Sequence, residues 1–460
     1  MTISEGSSDP VEPADDTAFL GHPKGLGYLA LVEGCERFSY YSMQTLLTLY
    51  MVKYLMLPQH IGKVIGLDWL RSWHYQGLEG QPLSSAIFGD YTSLVYLTPI
   101  LGGFIADRWL GRRTALVAGA VVMSVGHFLM AFEGAFLFAL ITLIVGVGLF
   151  KGNIAGQVGE LYKQGDIRRA TAFQIFYMAI AGSVIVAPLI AGTLGERVGW
   201  HFGFGAAGIV MVLGLLLYLK AGPWLPQESR TTGRKKVKRP PFRPGDAWRV
   251  IALVALVPVL ALAHLVNQQL FNVFLIWGDQ RFDMHLMSFV MPTSWLITFD
   301  ALIAFIMMGG MVAFWKWFAK RRREPDELSK LIIGTSVTIL GGLILVYVSA
   351  HQGAGKIPLY WPLAFIVINE IGFANISPVA LALFSKIAPP AIGATVIGIF
   401  YLSFFLCNKV VGIVGQWYSS MSTSSFWLVH VGASAVALLA FVLFKVFLTH
   451  RLEGPEVDTR

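Results

Sequence analysis

Apolar stretches of about 20 residues recur from one end of this 460-residue chain to the other, each long enough to cross a hydrocarbon core of about 30 Å. In lipid every backbone polar group must find its partner inside the protein, which leaves helices and closed barrels as the spanning structures. A barrel is excluded, because its strands alternate apolar and polar in segments of about ten residues and these runs are continuously apolar. With 55% apolar and 13% charged residues, the chain has too little polar surface to cover a soluble globule of its size. The expected fold is an all-α membrane protein with no sizeable soluble domain.

About twelve transmembrane helices are expected, near 28–55, 84–105, 114–132, 136–158, 171–195, 202–220, 250–277, 293–318, 330–350, 359–384, 392–418 and 425–448. The stretch from Gly222 to Asp246 interrupts them, rich in Pro and carrying Arg234, Lys235, Lys236, Lys238, Arg239 and Arg243. It reads as a solvated linker. The implied organisation is a tail over 1–27, a six-helix bundle over 28–220, a basic linker over 221–248, a second six-helix bundle over 249–449 and a tail over 450–460.

The net charge of +8 is no sign of nucleic acid, since the basic residues sit in short turns rather than on one face. Arg108, Arg112 and Arg113, then Lys163, Arg168 and Arg169, then the linker, then Lys320 to Arg323 fall in alternate loops. By the positive-inside rule those loops and both termini are cytoplasmic. The acidic start, Glu5 to Asp16, has neither the basic region nor the apolar core of a secretory signal. Cys35 and Cys407 both lie in apolar runs and read as packing residues. Six-plus-six carriers hold their substrate near the bilayer midplane between the halves and rock about it.

The sharpest local signal is Glu33-Gly-Cys-Glu36-Arg37-Phe38-Ser-Tyr40-Tyr41, followed by Gln44. These positions recur at helical spacing, so one face of the first apolar helix is polar and ionisable. A charge buried in a bilayer costs at least about 2.5–3.5 kcal/mol on insertion scales and is resolved by pairing or by water. Glu33 precedes Arg37 by four residues, the favourable order for an intrahelical pair. Glu36 then needs a second cation, and Lys151 in the fourth run is the candidate. Two carboxylates facing two cations can exchange partners when one takes a proton; a static ion cluster that fixes helix packing is the other reading.

Asp300 in the eighth run and Glu370 in the tenth have no basic neighbour within a turn. Each could bind an amine or carry a proton, or be held neutral by a neighbouring helix. His264 in the seventh run is a weaker candidate for proton handling, and Tyr96 in the second offers a hydroxyl. No HExxH or paired spacing exists among the ten histidines, so a membrane-embedded metalloenzyme is not expected. Neither a metal nor a cofactor is expected. A sensor that keeps a carrier fold without transport is a further reading.

The string from Glu33 to Tyr41 resembles the ExxERFxYY motif of the proton-dependent oligopeptide transporter family, a branch of the major facilitator superfamily. Gly102-Gly103-Phe-Ile-Ala-Asp107-Arg108-Trp-Leu-Gly111-Arg112-Arg113 is similar to that superfamily's loop between helices two and three. Phe173, Phe176 and Tyr177, Ser377-Pro378, Lys386-Ile-Ala-Pro389 and Asn408 extend the resemblance through both halves. It implies a proton-coupled symporter that imports di- and tripeptides by alternating access, a monomer in the inner (plasma) membrane whose partners are peptides, protons and lipid.

Arg37 and Lys151 are then expected to hold the substrate carboxylate, Tyr40, Tyr41, Tyr96 and Asn375 to line the pocket, and Glu33, Glu36 and Glu370 to serve proton coupling. Two departures matter. Ala181 stands where the family has Asn on helix five, and Phe373 where it has Glu on helix ten, which leaves Glu370 a turn earlier. Asp300, where many members have Asn, is expected to take over as the amine anchor. Gln44 and Asn267 replace a basic and an acidic residue that pair in relatives, so an uncharged extracellular gate is expected, with His264 a substitute proton site one turn away. The departures also fit a carrier on the same fold for a non-peptide solute bearing a carboxylate or amine.

Overall fold

The computed structural model describes residues 16–163, 166–226, 242–243, 245–389 and 392–452. Of the expected linker cations only Arg243 falls within it; Arg234 to Arg239 and both extreme tails lie outside the described residues.

Twelve long helices run alternately up and down. They are α1 (Lys24–Tyr50), α2 (Gly80–Ile105), α3 (Arg112–Leu129), α4 (Phe136–Glu160), α5 (Arg168–Ala187) and α6 (Trp200–Lys220), then α7 (Asp246–Ala263), α8 (Trp295–Ala319), α9 (Glu327–Ala350), α10 (Tyr360–Ile387), α11 (Gly393–Gly415) and α12 (Thr423–Leu452). Among the described residues nine, α4 to α12, are long and apolar enough to cross a membrane on their own composition. The other three form the opening of the chain; α1 carries Glu33, Glu36 and Arg37, so it enters lipid only with its polar face covered by other helices.

Within the first half α1 packs on α5 and α6, and α3 on α4 and α6; within the second, α9 packs on α10 and α12. The halves meet along α2 against α11 and α5 against α8. This is the two-bundle architecture of the major facilitator superfamily.

One expected helix is not continuous. α7 ends at Ala263 and resumes as a single turn, Leu265–Gln268, then a tighter turn, Gln269–Phe271, and then Val273–Arg281. Asn272 at the second break is far from helical, with φ −120° and ψ −102°. The segment carries four amide side chains in six residues, Asn267, Gln268, Gln269 and Asn272, and the bonded ones reach other side chains rather than the helical ladder. Between α7 and α8 the chain makes a small antiparallel hairpin, His285–Leu286 with Phe289–Val290.

The basic clusters occupy the end of the bundle where α1 begins. The hydrogen bonds and ion pairs between the halves gather toward the opposite end, called the far face below. There Lys53 pairs with Asp279 at 2.6 Å and Asp90 with Lys409. Glu196 accepts the backbone N–H groups of Thr293 and Ser294 at 2.9 and 2.8 Å. Thr48 donates to the carbonyl of Phe271 at 3.3 Å, Ser85 to Asn272 at 3.1 Å and Trp295 to Thr193 at 2.8 Å. The molecule is therefore closed at the far face.

Candidate functional site

The ionisable face of α1 is buried where the two halves meet. Glu36 is fully inaccessible, and its carboxylate takes Arg37 Nε at 2.5 Å and Nη2 at 2.6 Å, a two-point clamp. The same Nε lies 3.4 Å from Glu33, whose second oxygen has no partner among the described residues. One guanidinium thus serves both acids. The expected Glu36–Lys151 pair is not formed, because the neighbouring Arg37 on the same helix already satisfies Glu36.

Lys151, on α4, has no ion pair among the described residues. Its ammonium stands over aromatic faces instead, 5.1 Å from the ring centre of Tyr96, 5.7 Å from Tyr40 and 6.0 Å from Tyr401. Each such contact is worth about 0.5–2 kcal/mol, and none supplies an anion. Arg37 lies 4.8 Å over the other ring-partner, Tyr40, which meets Tyr41 edge-on. Tyr96 in turn stacks on Phe404 of α11 at 5.2 Å, and Tyr41 faces Phe271 of the broken α7 at 6.5 Å. The tyrosines therefore join the cations of the first half to the second half.

Across the interface the charge changes sign. Asp300 on α8 and Glu370 on α10 are both buried, and their carboxyls lie within hydrogen-bonding reach of each other. Asp300 Oδ1 has no partner among the described residues. Glu370 Oε1 accepts from Asn267 Nδ2 at 2.8 Å and from Asn369 Nδ2 at 3.0 Å. Neither acid forms an ion pair among the described residues. The arrangement is bipolar: a spare cation on α4 and two acids without a counter-cation on α8 and α10.

Three expected residues are placed differently. Asn375 is tied into helix packing, donating to its own Ile371 carbonyl at 2.8 Å and accepting the Trp315 indole N–H at 2.9 Å. His264 donates through Nδ1 to the Leu260 carbonyl at 2.7 Å and packs its ring on Phe404 and Phe373 at 4.7 and 5.8 Å. It does not reach the acids. Gln44 is buried with its Oε1 unpartnered and shares no hydrogen bond with Asn267, whose amide goes to Glu370. The far face is closed by charges instead, Lys53–Asp279 and Asp90–Lys409. Asp90 and Lys409 were legible as intramembrane charges within the second and eleventh runs. Tyr401 and Phe404, one aromatic pair among many in the sequence, carried no such signal.

Two six-helix bundles enclosing charges of opposite sign have the form of a membrane carrier. The sequence profile of the POT family matches residues 113–236. The chain is 28% identical to the uncharacterized transporter YclF of Bacillus subtilis over 95% of this chain and 97% of that protein. It is 29% identical to the peptide transporter YePEPT of Yersinia enterocolitica, over 86% and 88% of the two. A crystal structure of a mutant peptide transporter POT in complex with alafosfalin superposes with a TM-score of 0.82 at 25% identity, covering 96% of this chain and 98% of that one. Over most of its length the chain is similar to peptide transporters of the POT family.

Proposed function

We propose that this transporter is a proton-coupled symporter that imports di- and tripeptides by alternating access. The observation that carries the reading is the bipolar site. A peptide zwitterion presents a carboxylate to one end and an ammonium to the other, and Lys151 is a half-buried cation with no ion pair among the described residues, while Asp300 and Glu370 lack a cation. Arg37 stands beside Lys151, engaged by Glu33 and Glu36; protonation of either acid frees part of the guanidinium for the incoming carboxylate. Tyr40, Tyr41 and Tyr96 line the site. Asp300 anchors the amine. The peptide transporter relatives support the substrate class, and the basic face supports cytoplasmic termini in the plasma membrane.

In this reading the N-terminal bundle spans 28–220 and the C-terminal one 249–449, joined by the basic linker 221–248, and the chain works as a monomer. The closed far face is taken as the extracellular side.

The test is reconstitution in liposomes and uptake of labelled dialanine with and without an inward proton gradient, in wild type and Lys151→Ala. Gradient-dependent accumulation that the substitution abolishes supports the reading. Equal, unconcentrated uptake, or none, overturns it and favours a non-peptide solute, for which the loss of the family's acid at Phe373 is the structural argument.

A further inference from the structure

Between α1 and α2 the chain lays an arch along the far face that contains a short helix, Leu67–Trp73. One end of the arch is tied to the turn before α4, where the Ile65 N–H donates to the Gly134 carbonyl at 3.2 Å. The other end is tied to α2, where Asp90 accepts the Tyr75 hydroxyl at 3.2 Å and lies 2.9 Å from His74 Nε2. Leu67 and Tyr75 are buried beneath it. Trp69 and Trp73 instead stack on each other at 5.3 Å and stand 65% and 69% exposed.

Beside these tryptophans, α2 and α4 leave a groove of about 510 Å³, walled by Ile87 and Leu94 of α2 and by Phe138, Ile141 and Ile144 of α4. α4 is one of the helices apolar enough to span the membrane, and Phe138 and Ile141 are exposed on its flank. From the start of α4 to Ile144 is about 12 Å at about 1.5 Å per residue, most of the depth of one leaflet's hydrocarbon, about 15 Å. An apolar cavity at that depth is no site for water, and exposed tryptophans belong at a bilayer interface. The polar part of the lining, His74, Tyr75 and Asp90, is bonded within itself and to Lys409. The cations of the arch are paired too, Lys63 with Glu133 at 3.0 Å and Arg71 with Glu79 and Asp68 at 3.3 and 3.9 Å. What the groove offers a ligand is therefore apolar surface.

We propose that one acyl chain of a phospholipid from the far-face leaflet occupies this groove as a resident ligand, selected by its chain and not by its headgroup. The arch is fastened at both ends, so the groove exists before the lipid enters and binding does not have to order the protein. The chain also touches the closure of the far face: Asp90, His74 and Tyr75 line both this groove and the pocket beside Lys409. Hydrocarbon against them keeps water from one side of the carboxylate that pairs with Lys409, and an ion pair strengthens as its surroundings lose water. The inference is independent of what the carrier moves.

The probe is dipalmitoyl phosphatidylethanolamine, added to the delipidated whole protein in detergent and counted by native mass spectrometry. Leu94→Trp and Ile141→Trp each fill the groove from one wall, and either suffices if the other does not fold. Leu439→Trp adds the same kind of bulk at an exposed position on α12 of the other half. The expected result is a single firmly retained lipid in wild type and in Leu439→Trp, with affinity lowered about tenfold in each groove variant. Dipalmitoyl phosphatidylglycerol should be retained equally and dihexanoyl phosphatidylethanolamine should not. Added dipalmitoyl lipid should raise the melting temperature of wild type more than that of either groove variant. Absence of a retained lipid in wild type overturns the proposal, as does equal retention in the groove variants or equal loss in Leu439→Trp. A preference set by headgroup with short chains retained overturns it as well, and so does a homodimer, rather than a lipid, that the groove substitutions abolish.

Discussion

Asp90 on α2 and Lys409 on α11 are ion-paired across the two halves, and the second oxygen of the same carboxylate lies 2.9 Å from His74 Nε2. The pair borders a far-face pocket of about 310 Å³ and is partly exposed. Such pairs contribute up to about 1 kcal/mol. Asp90→Asn should therefore raise the open fraction of the far face by about fivefold at most. Ser85→Cys, buried behind this pair, should react with a polar maleimide correspondingly faster in the Asp90→Asn background.

Asn375 bonds within the helix packing, whereas Asp300 is the acid proposed to anchor the amine. Asn375→Ala leaves the Trp315 indole N–H without its acceptor, at a cost of about 1–3 kcal/mol. Its melting temperature should fall while KM for dialanine stays unchanged. Asp300→Asn should instead raise KM for dialanine about tenfold, equivalent to about 1.4 kcal/mol, and leave uptake of an N-acetylated dipeptide unaffected.

Tyr401 was not among the residues expected to serve the site, yet it supplies one of the three aromatic faces around Lys151. Tyr401→Leu removes one cation–π contact worth about 0.5–2 kcal/mol. Peptide affinity should drop several-fold with normal expression, measured by concentration-dependent uptake in proteoliposomes.

Gly89 of α2 and Gly412 of α11 touch with no side chain between them; a Cβ on Gly89 would stand 2.4 Å from the Gly412 Cα. Overpacking of this kind costs about 1–3 kcal/mol. Gly89→Ala should lower both the melting temperature and uptake. Gly309→Ala on α8, where a Cβ meets nothing within 4 Å, should lower neither.

Before α1, the segment from Asp16 is fastened to the loop between α4 and α5: Arg168 donates to the Gly21 carbonyl at 3.3 Å and His22 Nδ1 is 2.9 Å from the Tyr162 hydroxyl. Side-chain and backbone hydrogen bonds from Arg168 hold the Asp166 carboxyl below the usual carboxylate range. A lowered native pKa stabilises fully above the unfolded value of about 3.9 and loses that contribution as pH falls through the native value. Hydrogen exchange at residues 18–22 should be insensitive to ionisation of Asp166 from neutral pH down to about pH 5 and rise only in stronger acid. Asp166→Asn should show the raised exchange at neutral pH.

The helix count, the six-plus-six division and the ionisable face of α1 were all legible because each has a local signature: an apolar run, a basic interruption, charges at helical spacing. Glu33 and Arg37 do pair as their four-residue spacing requires. The partner of Glu36 was misread because adjacent residues on a helix usually diverge, and only the side-chain conformers reveal that Arg37 folds back on it. Asn267 was legible as a lost charge but not as the ligand of Glu370, since that contact joins residues on different helices. The break in α7 was not anticipated either: the run 250–277 is apolar enough to read as one span despite its four amides.

The Gly89–Gly412 contact has a mechanical consequence. Gln81 lies eight residues to one side of it and Tyr96 seven to the other, lever arms of about 10–12 Å at about 1.5 Å per residue. Bare backbone against bare backbone resists sliding but allows tilting, which makes this contact a fulcrum. A tilt of about 15° would carry either end by about 3 Å on such arms. That is enough to part Gln81 from the Gly415 carbonyl at one end while pressing Tyr96 onto Phe404 at the other.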